Sequence, residues 1–243
     1  MKVLGIIPAR YNSSRLPGKP LADIMGTSMI QRVYEQAAKC KQLRKVIVAT
    51  DDERISFHVK SFGGNVIMTS KNHESGTDRC GEVAEKLEKN FDVIVNIQGD
   101  EPFINPEQIN QVIQLFDEES SQIATLSKRF NNFENFTDEN KVKVKINTDG
   151  FADDFYRTSV INEIEFSERE YFKHIGIYAF KADVLQKIVN LPKSKTEEKL
   201  NLEQLRWLDN KYKIKVGITK LEALSVDRIE DIEKIVEFHE KNV

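Results

Sequence analysis

Apolar residues come in short runs along the first half of the chain, with longer mixed stretches between them. Val3-Leu4-Gly5-Ile6-Ile7, Val46-Ile47-Val48-Ala49-Thr50, Val66-Ile67-Met68 and Phe91-Asp92-Val93-Ile94-Val95-Asn96-Ile97 read as buried strands. Residues 28–39 space their apolar positions as a helix does, with Ser28 as its cap, and helices are expected after Asp52 to about Phe62 and over 77–90. Strand and helix in alternation predict right-handed crossovers and a parallel sheet. A helix from about 105 to Phe116 and a strand at Ile123-Ala124-Thr125-Leu126 continue the pattern.

The rhythm then loosens. Residues 128–141 are polar and rich in Asn and Phe, as in a surface excursion held by one or two rings. Val142-Lys143-Val144-Lys145-Ile146 alternates with period two, which predicts a half-exposed antiparallel strand. A turn at 147–150 and a hairpin partner within 151–160 follow. Strands at 174–180 and 214–218 and helices at 202–208 and 228–241 complete the chain. With no repeat and no linker in view, the expectation is one α/β domain over 1–243. It has a mostly parallel central sheet flanked by helices and a β-rich insertion at about 140–180.

Composition narrows the function classes. The 243 residues suffice for one α/β domain with a full core, and a net charge of −3 argues against a nucleic-acid or membrane partner. No apolar run approaches the roughly 20 residues of a bilayer span, and the opening apolar stretch is strand-like rather than a signal peptide. Cys40 and Cys80 lack CxxC spacing and read as reduced structural thiols, so a cytoplasmic setting is expected. The four histidines show no metal-ligand spacing.

Two loops carry candidate chemistry. The first runs from Pro8 to Pro20, where prolines and Gly18 forbid regular structure and Arg10, Arg15 and Lys19 are interspersed. A basic loop leaving the carboxyl end of the first strand suits a phosphate-sized polyanion, although the residues alone also allow a solvated loop. It is not a Walker P-loop, since Ser13 stands where the first glycine belongs and Pro20 follows Lys19. The second loop, Gln98-Gly99-Asp100-Glu101-Pro102, sets two acids side by side at a strand end. That arrangement fits either a divalent cation or a solvated turn.

Together these motifs closely resemble the cytidylyltransferases that activate 3-deoxy-D-manno-octulosonate, the CMP-Kdo synthetase family. The resemblance rests on Pro8-Ala9-Arg10-Tyr11, Arg15-Leu16-Pro17-Gly18-Lys19-Pro20-Leu21, Ala49-Thr50-Asp51-Asp52 and His73-Glu74-Ser75-Gly76-Thr77-Asp78-Arg79. It continues through the Gln98–Pro102 turn, His174-Ile175-Gly176-Ile177-Tyr178 and Leu202-Glu203-Gln204-Leu205-Arg206, in order over nearly the whole chain. It implies a Rossmann-like nucleotidyltransferase fold, a homodimer, CTP as co-substrate and Mg²⁺ as cofactor. By the same resemblance Ala9, Arg10, Arg15 and Lys19 hold the triphosphate, with Arg10, Lys19 and Asp100 catalytic. Ser75, Gly76, Thr77 and Arg79 lie near cytosine and ribose, and Asp100 and Asp227 bind the metal. Gln98 serves nucleotide and sugar alike. Arg157, His174, Tyr178, Glu203 and Gln204 line the sugar pocket beside it.

On the residues alone, Arg157 and Arg206 could equally be surface ion-pair members, His174 and Tyr178 a packed face, and Glu203-Gln204 the solvated side of a helix. The chain also departs from the family in its second half. Tyr156, Asp153-Asp154, Leu200 and the frame Ser225-Val226-Asp227-Arg228 differ from what that family usually carries. The implied activity is coupling of CTP to Kdo or a related ulosonic acid for lipopolysaccharide or capsule. A CMP-nonulosonate synthetase and a silent nucleotide-sugar-binding paralogue are the alternatives.

Overall fold

The computed structural model describes all residues except 14, 88, 89, 119 and 243. Ser14 of the basic loop and the 88–89 portion of the helix expected over 77–90 thus lie outside the described residues. The chain forms two compact units, residues 1–110 with 223–243, and residues 111–222.

The first unit carries β1 (Val3–Ala9), β2 (Asp23–Ile24), β3 (Thr27–Ser28), α1 (Met29–Ala38), β4 (Leu43–Thr50), α2 (Glu53–Ser61), β5 (Val66–Met68), α3 (Gly76–Lys86), β6 (Val93–Asn96) and the start of α4 (Pro106–Gln114). Strands β6, β1, β4 and β5 lie side by side and all run parallel, with Gly5 opposite both Val95 and Val46, and Val48 opposite Val66. Parallel neighbours need crossover helices, which cover the sheet, and Leu4, Ile6, Ile7 and Val95 are accordingly fully buried. Side-chain caps mark where the helices begin. Ser28 accepts from the Gln31 N–H as expected, Asp52 caps α2, and Ser75 and Asp78 cap α3 reciprocally.

The C-terminal helix, Ile229–Asn242, belongs to this unit. Its Ile235 joins Ile24, Met29 and Val226 in a buried cluster against which Leu16, Phe103, Ile232 and Val236 pack. Phe103 is also sandwiched between rings and charge, stacked on His239 at 3.9 Å and covered by the Arg32 guanidinium at 5.3 Å. Leu16 sits inside the basic loop and Phe103 just after the acidic turn, so one apolar cluster ties both loops to the chain's end.

The second unit contains β7 (Ile123–Arg129), α5 (Phe133–Thr137), β8 (Lys143–Ile146), β9 (Ala152–Tyr156), α6 (Glu163–Ser167), β10 (Phe172–Lys181), α7 (Ala182–Ile188), α8 (Lys195–Leu200), α9 (Gln204–Asp209) and β11 (Ile214–Ile218). Here β11 pairs parallel to β7, while β10 pairs antiparallel to β7 and β8, and β8 to β9. The expected hairpin is therefore present across the turn at 147–150.

Three features differ from the sequence reading. Residues 128–141 are not merely pinned by one or two rings, because Phe130, Phe133 and Phe136 meet Phe166 and Tyr171 in an aromatic cluster. Lys143, expected on the solvent side of an alternating strand, is fully buried. Its ammonium donates to the carbonyls of Asp138 at 2.7 Å and Arg157 at 2.6 Å, and burial lowers its pKa. Helices α7 and α8 did not stand out from the sequence pattern, since each is short and takes its burial from tertiary neighbours.

Arg206 is no surface residue. Its guanidinium grips Glu197 through two bonds of 2.7 and 2.6 Å and also donates to the Leu191 carbonyl, with both side chains only 9% exposed. A buried pair contributes little net stability, but removing one partner strands the other charge. Arg206→Ala is expected to destabilise the fold by about 3–5 kcal/mol, read as a lowered urea midpoint; a change within about 0.5 kcal/mol would contradict the buried pair.

Candidate active site

Because β1 and β6 are parallel neighbours, the loops that leave their carboxyl ends emerge side by side. Between them lies a cavity of about 270 Å³. Ala9, Arg10, Arg15 and Lys19 reach it from the first loop, Gln98 and Asp100 from the second, Ser75, Gly76 and Arg79 from the start of α3, and Asp227 from the C-terminal segment. Every nucleotide or metal residue expected from the sequence in this unit thus lines one cavity, except Thr77, which is buried in α3. His73 and Glu74 also line it. They belong to the motif that signalled the site, but nothing in their spacing distinguished them.

The basic loop is held as a closed ring. The Tyr11 carbonyl accepts from the N–H groups of both Ser13 and Gly18. Gly18 is left-handed, with φ of 73°, and a Cβ there would lie 3.2 Å from the Tyr11 ring. Over the ring lies the Arg54 guanidinium, 3.3 Å from its centroid and held bidentately by Asp52, the cap of α2. Gly99 meets the other side of the cavity, where a Cβ would fall 2.6 Å from the Pro8 carbonyl oxygen. Only glycine lets the acidic turn approach the first strand this closely.

The acids and cations then pair. Lys19 Nζ donates to Asp100 Oδ2 at 2.7 Å and to the Val226 carbonyl at 2.8 Å, and it stands 3.7 Å from Asp227 Oδ1. Arg15 Nη1 donates to Asp227 Oδ2 at 3.0 Å. Val226, fully buried, also donates its N–H to the Asp100 carbonyl at 2.9 Å. Asp100 and Asp227 therefore present converging carboxylates, without a third His, Cys, Asp or Glu close enough to complete a metal cage among the described residues. That donor set fits Mg²⁺, which is commonly held by one or two carboxylates plus phosphate oxygens and water.

The neighbouring loop is built on ion pairs. Arg79, expected near base and ribose, donates to Thr69 Oγ1, the Ser70 carbonyl and Asp51 Oδ2, and its side chain is only 4% exposed. It shapes the 69–75 loop from beneath. Glu82 holds the same loop, accepting from the Ser70 N–H at 2.8 Å, from His73 Nε2 at 2.5 Å and from Lys86 at 2.7 Å. Burial pushes the Glu82 carboxyl up, but Lys86, the Ser70 N–H and His73 outweigh it and bring the pKa down to about 2.

The expected sugar residues lie in the second unit. His174 and Tyr178 share one face of β10, their rings 5.2 Å apart, and Trp207 meets Tyr178 edge-on at 5.0 Å. Burial takes the His174 pKa down to about 3, so its ring is neutral. Its Nε2 is 3.0 Å from Thr125 Oγ1, a hydroxyl that also reaches the Ile177 carbonyl at 2.8 Å. The Tyr178 hydroxyl is buried without a hydrogen-bond partner among the described residues, and burial together with nearby Glu203 raises its pKa. Gln204, the residue after Glu203 at the start of α9, is buried, not solvated. Arg157 donates to the carbonyls of Leu200 and Asn201 at the end of α8 and to that of Glu139 in the loop before β8.

A parallel sheet whose first strand ends in a closed cationic loop, facing paired carboxylates, defines a nucleotide-handling α/β protein of the nucleotidyltransferase type. The pattern of the cytidylyltransferase family matches residues 4–215. A 3-deoxy-manno-octulosonate cytidylyltransferase of Parabacteroides distasonis is 51% identical over 98% of both chains. One from Fusobacterium nucleatum is 46% identical over 100% of this chain and 98% of its own. Among solved structures, a CMP:2-keto-3-deoxy-manno-octonic acid synthetase complexed with CTP superposes with a TM-score of 0.93 at 39% identity, covering 100% of both chains. A 4-diphosphocytidyl-2C-methyl-D-erythritol synthase from Anaerococcus prevotii shares the fold alone, with a TM-score of 0.65 at 14% identity over 98% of each chain. The chain belongs to the 3-deoxy-manno-octulosonate cytidylyltransferase family.

The Glu82 anchor has a pH signature. Its folded pKa lies below the ordinary value of 4.5, so its contribution is present above 4.5 and is lost as pH falls toward 2. Glu82→Gln should therefore lower the urea midpoint at pH 7, with the gap to wild type closing between pH 4.5 and 2. A gap that stays constant over that range would show that the charge is irrelevant.

Proposed function

We propose that this protein transfers the cytidylyl group of CTP to 3-deoxy-D-manno-octulosonate, forming CMP-Kdo and releasing pyrophosphate. The convergence of Arg10, Arg15 and Lys19 with Asp100 and Asp227 around one cavity carries this reading. In the reaction the anomeric hydroxyl oxygen of the sugar bonds to the α-phosphorus. The bond from that phosphorus to the bridging oxygen breaks, pyrophosphate leaves with the electron pair, and the hydroxyl proton passes to solvent.

Catalysis of this kind is mostly positioning and neutralisation of charge. Arg10, exposed at the rim, and Arg15 and Lys19 bind the triphosphate and the leaving pyrophosphate, with Ala9 backing them. Ser75, Gly76, Thr77 and Arg79 are assigned to the cytidine side, and Gln98 to both substrates. Asp100 and Asp227 would hold Mg²⁺, which when bound supplies Lewis acidity at the α-phosphoryl group. The sugar is assigned to Gln98, Arg157, His174, Tyr178, Glu203 and Gln204. Neutral His174 and the unpaired Tyr178 hydroxyl offer hydrogen bonds to it without charge. Three of the five Arg157 N–H groups are held by backbone carbonyls, so a grip on the sugar carboxylate would use the remaining two or exchange a carbonyl for that ligand. A single cytidylyltransferase domain over 1–243, a homodimer, a cytoplasmic location and a role in lipopolysaccharide or capsule supply belong to the same reading. No helix among the described residues is long and apolar enough to cross a membrane.

Pyrophosphate release with CTP, Mg²⁺ and a panel of Kdo, an amino-Kdo and sialic-type acids tests the function. Turnover of Kdo is the expected outcome; turnover of sialic-type acids alone would replace it with nonulosonate activation, and silence across the panel would favour a binding paralogue. Asp100→Asn should cut turnover by about a hundredfold or more while leaving CTP affinity within a few-fold. Near-wild-type turnover would remove Asp100 from the metal site.

A further inference from the structure

Lys19 sits where a metal-binding acid pair would have its cation. Its side chain is only 16% exposed, and its ammonium touches Asp100 at 2.7 Å, with Asp227 at 3.7 Å. Arg15 takes the other Asp227 oxygen at 3.0 Å. One ammonium and one guanidinium thus already balance the two carboxylates. The Val226 carbonyl anchors the ammonium from a third direction, and Val226 is itself buried and bonded to Asp100.

We propose that in the nucleotide-free protein Lys19 is the resident cation of the Asp100–Asp227 pair, so that a divalent ion enters only together with the triphosphate. This rests on the reading of the cavity as a CTP and metal site. A divalent ion at these oxygens would face the Lys19 charge at contact range, and like charges so close oppose each other strongly. Mg²⁺ also gives up its water reluctantly, so carboxylates that are already paired compete poorly for it. A triphosphate changes both terms. Its oxygens offer Lys19 and Arg15 equally strong charge-assisted partners, freeing the carboxylates, and its negative charge offsets that of the arriving ion. Linkage then requires the nucleotide and the ion to raise each other's affinity by the same factor.

The experiment follows Mn²⁺ by the loss of its free-ion EPR signal, with no nucleotide present. Lys19→Met should bind Mn²⁺ about tenfold tighter than wild type, or more, and adding Asp100→Asn to that variant should abolish the gain. A purely structural Lys19 would not raise metal affinity when removed. Equal Mn²⁺ affinity in wild type and Lys19→Met, both folded by circular dichroism, would overturn the proposal. A second measurement needs no variant: saturating CTP should tighten Mn²⁺ binding by wild type beyond what CTP achieves alone, and no tightening would also count against it. Calorimetry of CTP with Mg²⁺ reads the function separately. Absence of CTP binding would end the cytidylyl reading, whereas the nucleotide-free comparison would still decide what Lys19 does.

Discussion

The parallel pairing of β1 with β6 is the constraint from which the site follows. Parallel neighbours end at the same edge, so a cationic loop after one strand and an acidic turn after the other must emerge together. How closely they approach depends on Gly99, whose missing Cβ makes room for the Pro8 carbonyl. A methyl group there would push the acids away from the cations that balance them. Closure of the Tyr11–Gly18 ring then fixes where Arg15 and Lys19 point.

The third component comes from the far end of the chain. Asp227 reaches the cavity because its neighbour Val226 is buried among Ile24, Met29 and Ile235. Burying such a side chain is worth roughly 1.5–3 kcal/mol, enough to hold an otherwise extended segment in place. The Val226 backbone is bonded on both sides, to Asp100 and to Lys19. Apolar burial therefore positions a charged group that could not have positioned itself, since Asp227 is substantially exposed and surface ion pairs alone contribute little.

The interior of the second unit holds several polar groups. Lys143, Arg206 with Glu197 and the Tyr178 hydroxyl, unpaired among the described residues, are enclosed, and the neutral His174 ring is half-buried against Tyr178. Each costs desolvation, and all but the Tyr178 hydroxyl recover part of it through hydrogen bonds. Lys143 and Arg157 act as linked clips: one holds the Arg157 carbonyl, and the other uses its guanidinium to cap the end of α8. The departures at Asp153, Asp154 and Leu200 gather around a separate cavity of about 500 Å³, with Lys199, Leu205 and Lys211.

What the sequence determined by itself is local and periodic. Uniform apolar runs specified the parallel strands, Ser28 specified the start of α1, and the order of motifs specified which loops carry charge, because each of these depends on near neighbours along the chain. The family resemblance was legible for the same reason, through short motifs that need no partner to be recognised. Tertiary structure decided the rest. It buried Lys143 in a strand whose alternation put it outside, and it turned Arg206 from a possible surface residue into half of a buried pair. It spent Arg79 and Arg157 on internal acceptors and set Lys19 between two acids 81 and 208 residues away. Those outcomes depend on which distant groups share a low-dielectric space, and periodicity carries no information about that.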